Sequence, residues 1–88
     1  MTEDQFRQQL QEKGYGEAKI REFEPNQDKE MHTHDLSAMA LVMRGEFILA
    51  LESESTSYAP GEWCELIAGT VHTERTGPDG ATVLLAYK

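Results

Sequence analysis

The sequence predicts an all-β fold, a compact sandwich or barrel, preceded by one short N-terminal helix. After Glu17, segments rich in β-branched and aromatic residues alternate with turn signals, namely PNQD, SES, APG, AGT and GPDG. Turns at this frequency are typical of small sandwiches and barrels. The 88 residues contain no internal repeat or linker, so we expect a single domain over residues 1–88, with the helix in 1–14 and the β-structure in 17–88.

The helix is predicted from the opening residues MTEDQFRQQLQEKGYG. Thr2 and Gln5 have the spacing of a capping box, and Gly14 supplies a C-terminal stop. Phe6 and Leu10, four residues apart, form a thin apolar stripe on the helix. We therefore expect the helix to cover one end or edge of the β-structure.

The strands are predicted between the turn signals, where the chain is rich in residues that favour extended backbone. The expected ranges are 18–24, 29–34, 38–43, 46–52, 55–58, 63–67, 71–75 and 81–87.

The charge balance of the chain disfavours two classes of partner. Sixteen acidic and eight basic side chains give a formal charge of -8 and a pI near 4.7, which disfavours nucleic acid and anionic membrane surfaces. The single cysteine, Cys64, cannot form an internal disulfide. The sequence shows neither a signal-peptide pattern nor an apolar run of spanning length. We expect a cytoplasmic protein.

The chain has three histidines, and their positions indicate a metal site. On a strand, His32 and His34 project from the same face. His72 follows a strand-and-turn pattern, PGEWCELIAGT, that could bring a later strand alongside the first. Three imidazoles from adjacent strands would form a cap of three nitrogen ligands.

Residues 26–45 and 61–76 resemble the two sequence motifs of the cupin family. The first motif orders a glycine, the pair His-x-His, a glutamate and a glycine; this sequence has Asn26, His32, His34, Ala38 and Gly45. The second motif orders a glycine, Pro-x-Gly, a histidine and an asparagine; this sequence has Gly61, Ile67, Gly69, His72 and Thr76. The spacing is kept in both motifs.

The resemblance implies a small antiparallel jelly-roll barrel, or double-stranded β-helix, with a metal inside its mouth. The implied ligands are His32, His34 and His72. Ala38 stands where the family has a metal-binding glutamate, so one ligand is missing. Three histidines alone hold zinc in carbonic anhydrase, which shows that a metal site can do without the fourth protein ligand. Asn26 replaces a glycine and tolerates the same left-handed turn.

A replacement carboxylate is available on the predicted strands. Glu74 lies two residues after His72 and would share its face, which makes Glu74 an additional candidate ligand. Glu65, one strand earlier, is the weaker candidate. Cys64 is interpreted as a small buried hydrophobe.

Inward-facing histidines would also fix the orientation of the next strand. The same alternation places Ala38, Ala40 and Val42 inward, and Met39, Leu41 and Met43 outward. The outward residues are interpreted either as ordinary core or as a dimer interface.

The sequence predicts a homodimeric protein that binds one divalent transition metal per chain: Zn, Ni, Fe or Cu. Bound histidines must be neutral, so metal loading should fall as the pH drops toward and below roughly 6. Metal-dependent chemistry of the oxygenase, isomerase or lyase type on a small, anionic or chelating molecule is one functional hypothesis. A non-catalytic sensor or ligand-binding module is a second, and a metal-free structural dimer is a third.

Overall fold

A computed structural model describes all residues from Met1 to Lys88 and confirms the all-β prediction. One helix and five strands make up the regular structure. They are α1 (Glu3–Lys13), β1 (Lys19–Phe23), β2 (Ala38–Leu51), β3 (Ser55–Tyr58), β4 (Trp63–Leu66) and β5 (His72–Tyr87). No helical segment of the chain is both long enough and apolar enough to cross a lipid bilayer.

Helix α1 begins and ends as the sequence predicts. The Thr2 side chain accepts a hydrogen bond from the Gln5 amide, and the Gln5 side chain accepts one from the Thr2 amide. Gly14 ends the helix in the left-handed conformation at φ 78°. Phe6 and Leu10 are both buried, so the apolar stripe fixes which side of the helix packs on the sheet.

The strands form one antiparallel sheet in the order β1-β5-β2-β3, and β4 pairs with the first half of β2. β2 and β5 pair along nearly their whole lengths, from Ala38 opposite Tyr87 to Leu51 opposite His72. The register shifts near Gly45, where residues 77–80 bulge opposite Glu46. A Cβ at Gly45 would collide with the carbonyl oxygen of Gly80. Such bulges bend long strands and so allow the sheet to close around a cavity.

Two pairs of predicted strands are joined in the structure. The ranges 38–43 and 46–52 merge into β2, and 71–75 and 81–87 merge into β5 through the GPDG segment, which is a bulge in the strand. The strand predicted over 29–34 is wrong. Within this range only one isolated bridge forms, between His32 and His72, and Asp28 just before it forms another with Arg75. This polar segment has no alternating apolar side chains to bury, so little holds it as a continuous strand.

The two faces of β2 and β5 pack differently. One face forms the helix-covered cluster, which contains Phe6, Leu10, Tyr15, Ala18, Met39, Leu41, Leu84 and Ala86. The other face forms the cavity-side cluster, which contains Ala40, Val42, Phe47, Leu49, Cys64, Ala81 and Val83. This division confirms the predicted alternation along residues 38–42.

The face of β2 that carries Met39 and Leu41 is covered by α1. Met39 is 0% and Leu41 2% exposed, and both belong to the helix-covered cluster. Met39 and Leu41 are therefore ordinary core, as one of the two interpretations states, and α1 covers the face on which a second chain would have to contact them. The homodimer stays a prediction. Met43 lies beyond the cover and is exposed.

Candidate metal centre

The three histidines and Glu74 converge at one end of the sheet. His72 begins β5, and Glu74 follows two residues later on the same face. His32 lies directly opposite His72, and each backbone amide donates to the other residue's carbonyl, at 2.8 and 2.9 Å. The His34 carbonyl accepts from the Gly69 amide at 2.9 Å. Backbone pairing therefore holds the His-x-His segment beside β5 although it is not a strand.

The distances within the site are those of a ligand set. One potential ligand atom from each of His32, His34, His72 and Glu74 lies within 4.8 Å of all the others. Measured from the Glu74 carboxylate oxygens, the Nε2 atoms of His32, His72 and His34 lie at 3.1, 3.3 and 3.7 Å. The imidazole rings lie 4.6 to 5.0 Å apart between centroids.

Backbone carbonyls fix the tautomers of two of these rings. Nδ1 of His32 lies 2.9 Å from the Glu30 carbonyl oxygen, and Nδ1 of His72 lies 2.8 Å from that of Thr70. A carbonyl only accepts, so Nδ1 carries the proton and Nε2 of the neutral ring presents a lone pair. Hydrogen bonding of this kind orients metal-binding histidines and sets their tautomer.

The carboxylate oxygens of Glu74 therefore face the unprotonated Nε2 atoms of His32 and His72. Two acceptors repel each other unless a cation, either a proton or a metal ion, lies between them. A tetrahedral shell with metal–ligand bonds of about 2.1 Å places neighbouring ligand atoms about 3.4 Å apart. The separations from the two Glu74 oxygens, 3.1 to 3.7 Å, lie near that value, and one ligand atom from each of the four side chains lies within 4.8 Å of the others. The four side chains therefore form a candidate site for a divalent transition metal.

The site lies in a cavity of about 170 Å³. Exposure rises across it, from His72 at 1% through Glu74 at 20% to His34 at 45% for the side chains. Ala38 lines the same cavity, as the alternation along β2 predicts. The methyl group leaves space beside the histidines where a longer side chain would lie.

Comparison with known proteins identifies the architecture. No protein-family model matches the sequence, and no curated protein is similar to it. The chain is similar to a cupin-2 domain protein from Shewanella frigidimarina, with 18% identity over 78% of this chain and a TM-score of 0.66. A structure of the DMSP lyases RdDddP and RnDddQII matches with 20% identity over 78% and a TM-score of 0.69. The polyketide cyclase RemF from Streptomyces resistomycificus matches with 23% identity over 82% and a TM-score of 0.62.

This protein has a cupin fold. The matched part spans 66%, 36% and 54% of the three proteins, in the order given, and likeness at such low identity establishes the fold alone. Four positions of the two aligned motifs adopt the left-handed backbone conformation. Asn26, Gly45, Gly61 and Gly69 all have positive φ, between 52° and 88°, so Asn26 takes the left-handed conformation that its replacement of glycine predicts.

Thr76, which the sequence resemblance aligns with the asparagine of the second motif, has a structural role. Its hydroxyl donates to the Glu24 carbonyl and accepts from the Gln27 amide. These bonds tie the segment that leads to the histidines onto β5. The sequence carried no direct signal for this contact.

Glu65 does not belong to the site, and its weaker candidacy as a ligand is wrong. It lies opposite Met39 on the helix-covered face and accepts from Lys13 Nζ at 2.8 Å and the Tyr15 hydroxyl at 2.7 Å. These hydrogen bonds, from Lys13 first, lower the pKa of Glu65. Burial and the bond to Glu65 raise the pKa of Tyr15.

Cys64 is a buried residue of the cavity-side cluster, as predicted. Burial raises the pKa of its thiol to about 11. The thiolate that metals and electrophiles require is therefore scarce near neutral pH.

Sequence reasoning missed two cationic residues of this cavity, Arg21 and Lys29. For Arg21 a signal was present. Residues 19, 21 and 23 alternate along β1 as Lys, Arg and Phe, which places two cations and an aromatic ring on one face. Lys29 lies in the segment wrongly predicted as a strand, so its direction could not be read from the sequence.

Proposed function

We propose that this protein binds one divalent transition metal ion per chain through His32, His34 and His72, with Glu74 as the fourth ligand. The observation that carries the proposal is the carboxylate of Glu74 facing the Nε2 atoms at 3.1 to 3.7 Å. With two rings locked by carbonyls, these acceptors need a cation between them. Glu74 thereby supplies the carboxylate that the cupin motif has at the position of Ala38.

The ligand set of three imidazoles and one carboxylate suits Zn, Ni, Fe or Cu. Such an ion acts as a Lewis acid on an oxygen of a bound molecule. The chain supplies the surroundings. Glu74 offsets one unit of the ion's charge, the carbonyls of Glu30 and Thr70 hold two rings in orientation, and Ala38 leaves room for a ligand beside the site.

We infer further that the cavity serves metal-dependent chemistry on a small molecule. Support comes from its position over the metal ligands and from its mixed lining, which joins the histidines and Glu74 to apolar side chains. Structures that share the cupin fold include DMSP lyases and a polyketide cyclase. Because one fold supports many reactions, the proposal concerns metal-assisted chemistry on a small molecule as a class.

Metal content of protein purified without a His-tag tests the proposal. The wild type should bind about one equivalent of zinc, and the triple variant His32→Ala, His34→Ala, His72→Ala should bind none. Glu74→Gln should weaken binding, because it removes the ligand charge at constant size. Glu65→Gln is the matched control and should bind zinc as the wild type does. Equal metal content in the wild type and the triple variant would refute the site.

A further inference from the structure

Two cations at the mouth of the cavity have no ionic partner. Arg21 and Lys29 line the same cavity as the metal ligands. Three of the eight basic residues pair with carboxylates: Arg7 with Glu3, Lys13 with Glu65 and Arg75 with Asp28. The other five basic residues make no ion pair, and of these only Arg21 and Lys29 line the cavity that holds the candidate ligands.

The guanidinium of Arg21 lies over the ring of Phe23, a residue of the same strand. Arg21 lies on β1 opposite Val83 of β5, and its guanidinium carbon lies 4.9 Å from the centroid of the Phe23 ring. The Phe23 ring in turn packs against Phe47 at 5.3 Å between centroids. Stacking on an aromatic ring leaves the edge of a guanidinium free to donate, and that edge matches a carboxylate.

The rest of the lining is largely apolar and the space is small. Phe23, Phe47, Leu66, Val83 and Leu85 all face the cavity. Its volume of about 170 Å³ lies below the roughly 300–1,000 Å³ of sites for drug-sized ligands. A ligand that fills it is therefore short and has an apolar body.

We propose that this site selects a short-chain aliphatic carboxylate, whose carboxylate is bound by Arg21 and Lys29 and whose apolar body lies against Phe23 and Phe47. The proposal rests on the proposed function, since the ligand occupies the cavity beside the metal. Arg21 and Lys29 act as specificity-determining residues. They supply two positive charges where the background charge of the chain would otherwise repel an anion.

A matched pair of probes tests the proposal by calorimetry on zinc-loaded, tag-free protein. The probes are 3-methylbutanoate and 3-methylbutanamide, which differ in charge and hardly in shape. The acid should bind the wild type, and the amide should bind on the order of tenfold more weakly because it forms no charge-assisted bond with Arg21. Arg21→Gln and Lys29→Gln should each weaken binding of the acid by a similar factor and leave the affinity for the amide unchanged.

Arg44→Gln is the control variant, because Arg44 lies on β2 outside the cavity and also makes no ion pair. It should bind the acid like the wild type. If the acid binds wild type, Arg21→Gln and Lys29→Gln equally, it sits on the metal alone and the inference is wrong. Absence of acid binding to the wild type, or equal binding of acid and amide, also overturns it.

Zinc titration of the same variants separates this inference from the proposed function. Neither Arg21 nor Lys29 belongs to the ligand set, so zinc affinity should be unchanged in both variants. If the wild type binds zinc but binds the acid and the amide equally, the carboxylate inference is wrong and the proposed function stands. If the wild type does not bind zinc, the proposed function is wrong. The calorimetric titration with acid and amide on metal-free protein then tests the roles of Arg21 and Lys29.

Discussion

Glu65 and Glu74 lie on opposite faces of one sheet and have opposite surroundings. Glu65 receives hydrogen bonds from Lys13 and Tyr15, so its charge is compensated within the chain. Glu74 faces the Nε2 atoms of three histidines, two of which turn their protons toward carbonyls. One glutamate is satisfied by donors, and the other is surrounded by acceptors.

The helix-covered face and the cavity-side face of the sheet have different roles. The helix-covered face contains large apolar residues and a closed ion pair, which are features of a stable core. The cavity-side face carries small residues such as Ala38 and Ala40, which leave room around a polar cluster. Substitutions on the first face should therefore change the free energy of unfolding, and substitutions on the second should change ligand binding.

The largest effect is expected from Phe6→Ala on the helix-covered face. Phe6 is fully buried, and truncation of a buried Phe costs about 3–5 kcal/mol of unfolding free energy. Urea unfolding of metal-free protein measures the loss, and zinc affinity measured well below the denaturation midpoint should be unaltered. A loss below about 1 kcal/mol would mean that α1 does not hold the sheet face.

His34→Ala should produce the next largest effect, on the cavity side. His34 is the most exposed of the three histidines, so its removal perturbs packing little. Loss of a direct ligand should weaken zinc binding at least about 100-fold, or about 2.8 kcal/mol. Competition with a chelating dye measures the affinity. A change below threefold would show that His34 is not a ligand.

The helix and the turns could be predicted because local rules decide them. Thr2, Gln5 and Gly14 act through neighbouring backbone groups, and Asn26 acts through its own φ. The meeting of His32, His34 and His72 was expected from the resemblance to the cupin motifs, whereas the strand assumed for the His-x-His segment does not form. The inferences about the helix and the turns need only the sequence and short-range geometry.

The errors concern what packs against each segment. Residues 29–34 lack the alternating apolar side chains of a strand, but the pairing of His32 alone depends on contact with His72, which is distant in the sequence. The alternation along β2 separates Met39 from Ala38, but it does not say that α1 covers the Met39 side. Glu65 and Glu74 likewise look alike in sequence and differ because Lys13 and Tyr15 approach only one of them.

Ala38→Glu adds a second carboxylate to the cavity-side face and should strengthen zinc binding. Residue 38 lines the cavity, so the new side chain can reach the ion and offset one more unit of its charge. Zinc affinity should rise by about tenfold, or about 1.4 kcal/mol. Ala38→Gln, which has the same size without the charge, is the control and should give little gain. Weaker or unchanged binding in Ala38→Glu would contradict the alignment of Ala38 with the cupin glutamate.

Glu65→Gln should produce the smallest effect, confined to stability. The pKa of Glu65 is lowered in the folded protein, so its ion pair stabilises the fold above the unfolded-state value of about 4.3. That contribution, below about 1 kcal/mol for a partly exposed pair, disappears as the pH falls through the lowered pKa. The stability difference between wild type and variant should thus be present at pH 6 and vanish near pH 2. Glu52→Gln, which removes an exposed carboxylate without an ion pair, should show no such dependence, and a difference that grows on acidification would contradict the assignment.

X-ray absorption at the zinc edge of tag-free, zinc-loaded protein identifies the atoms that bind the ion. We expect a first shell that contains three imidazole nitrogens and one carboxylate oxygen, with one imidazole contribution lost in His34→Ala. A shell of water oxygens without imidazole scattering, or one that contains the sulfur of Cys64, would contradict it.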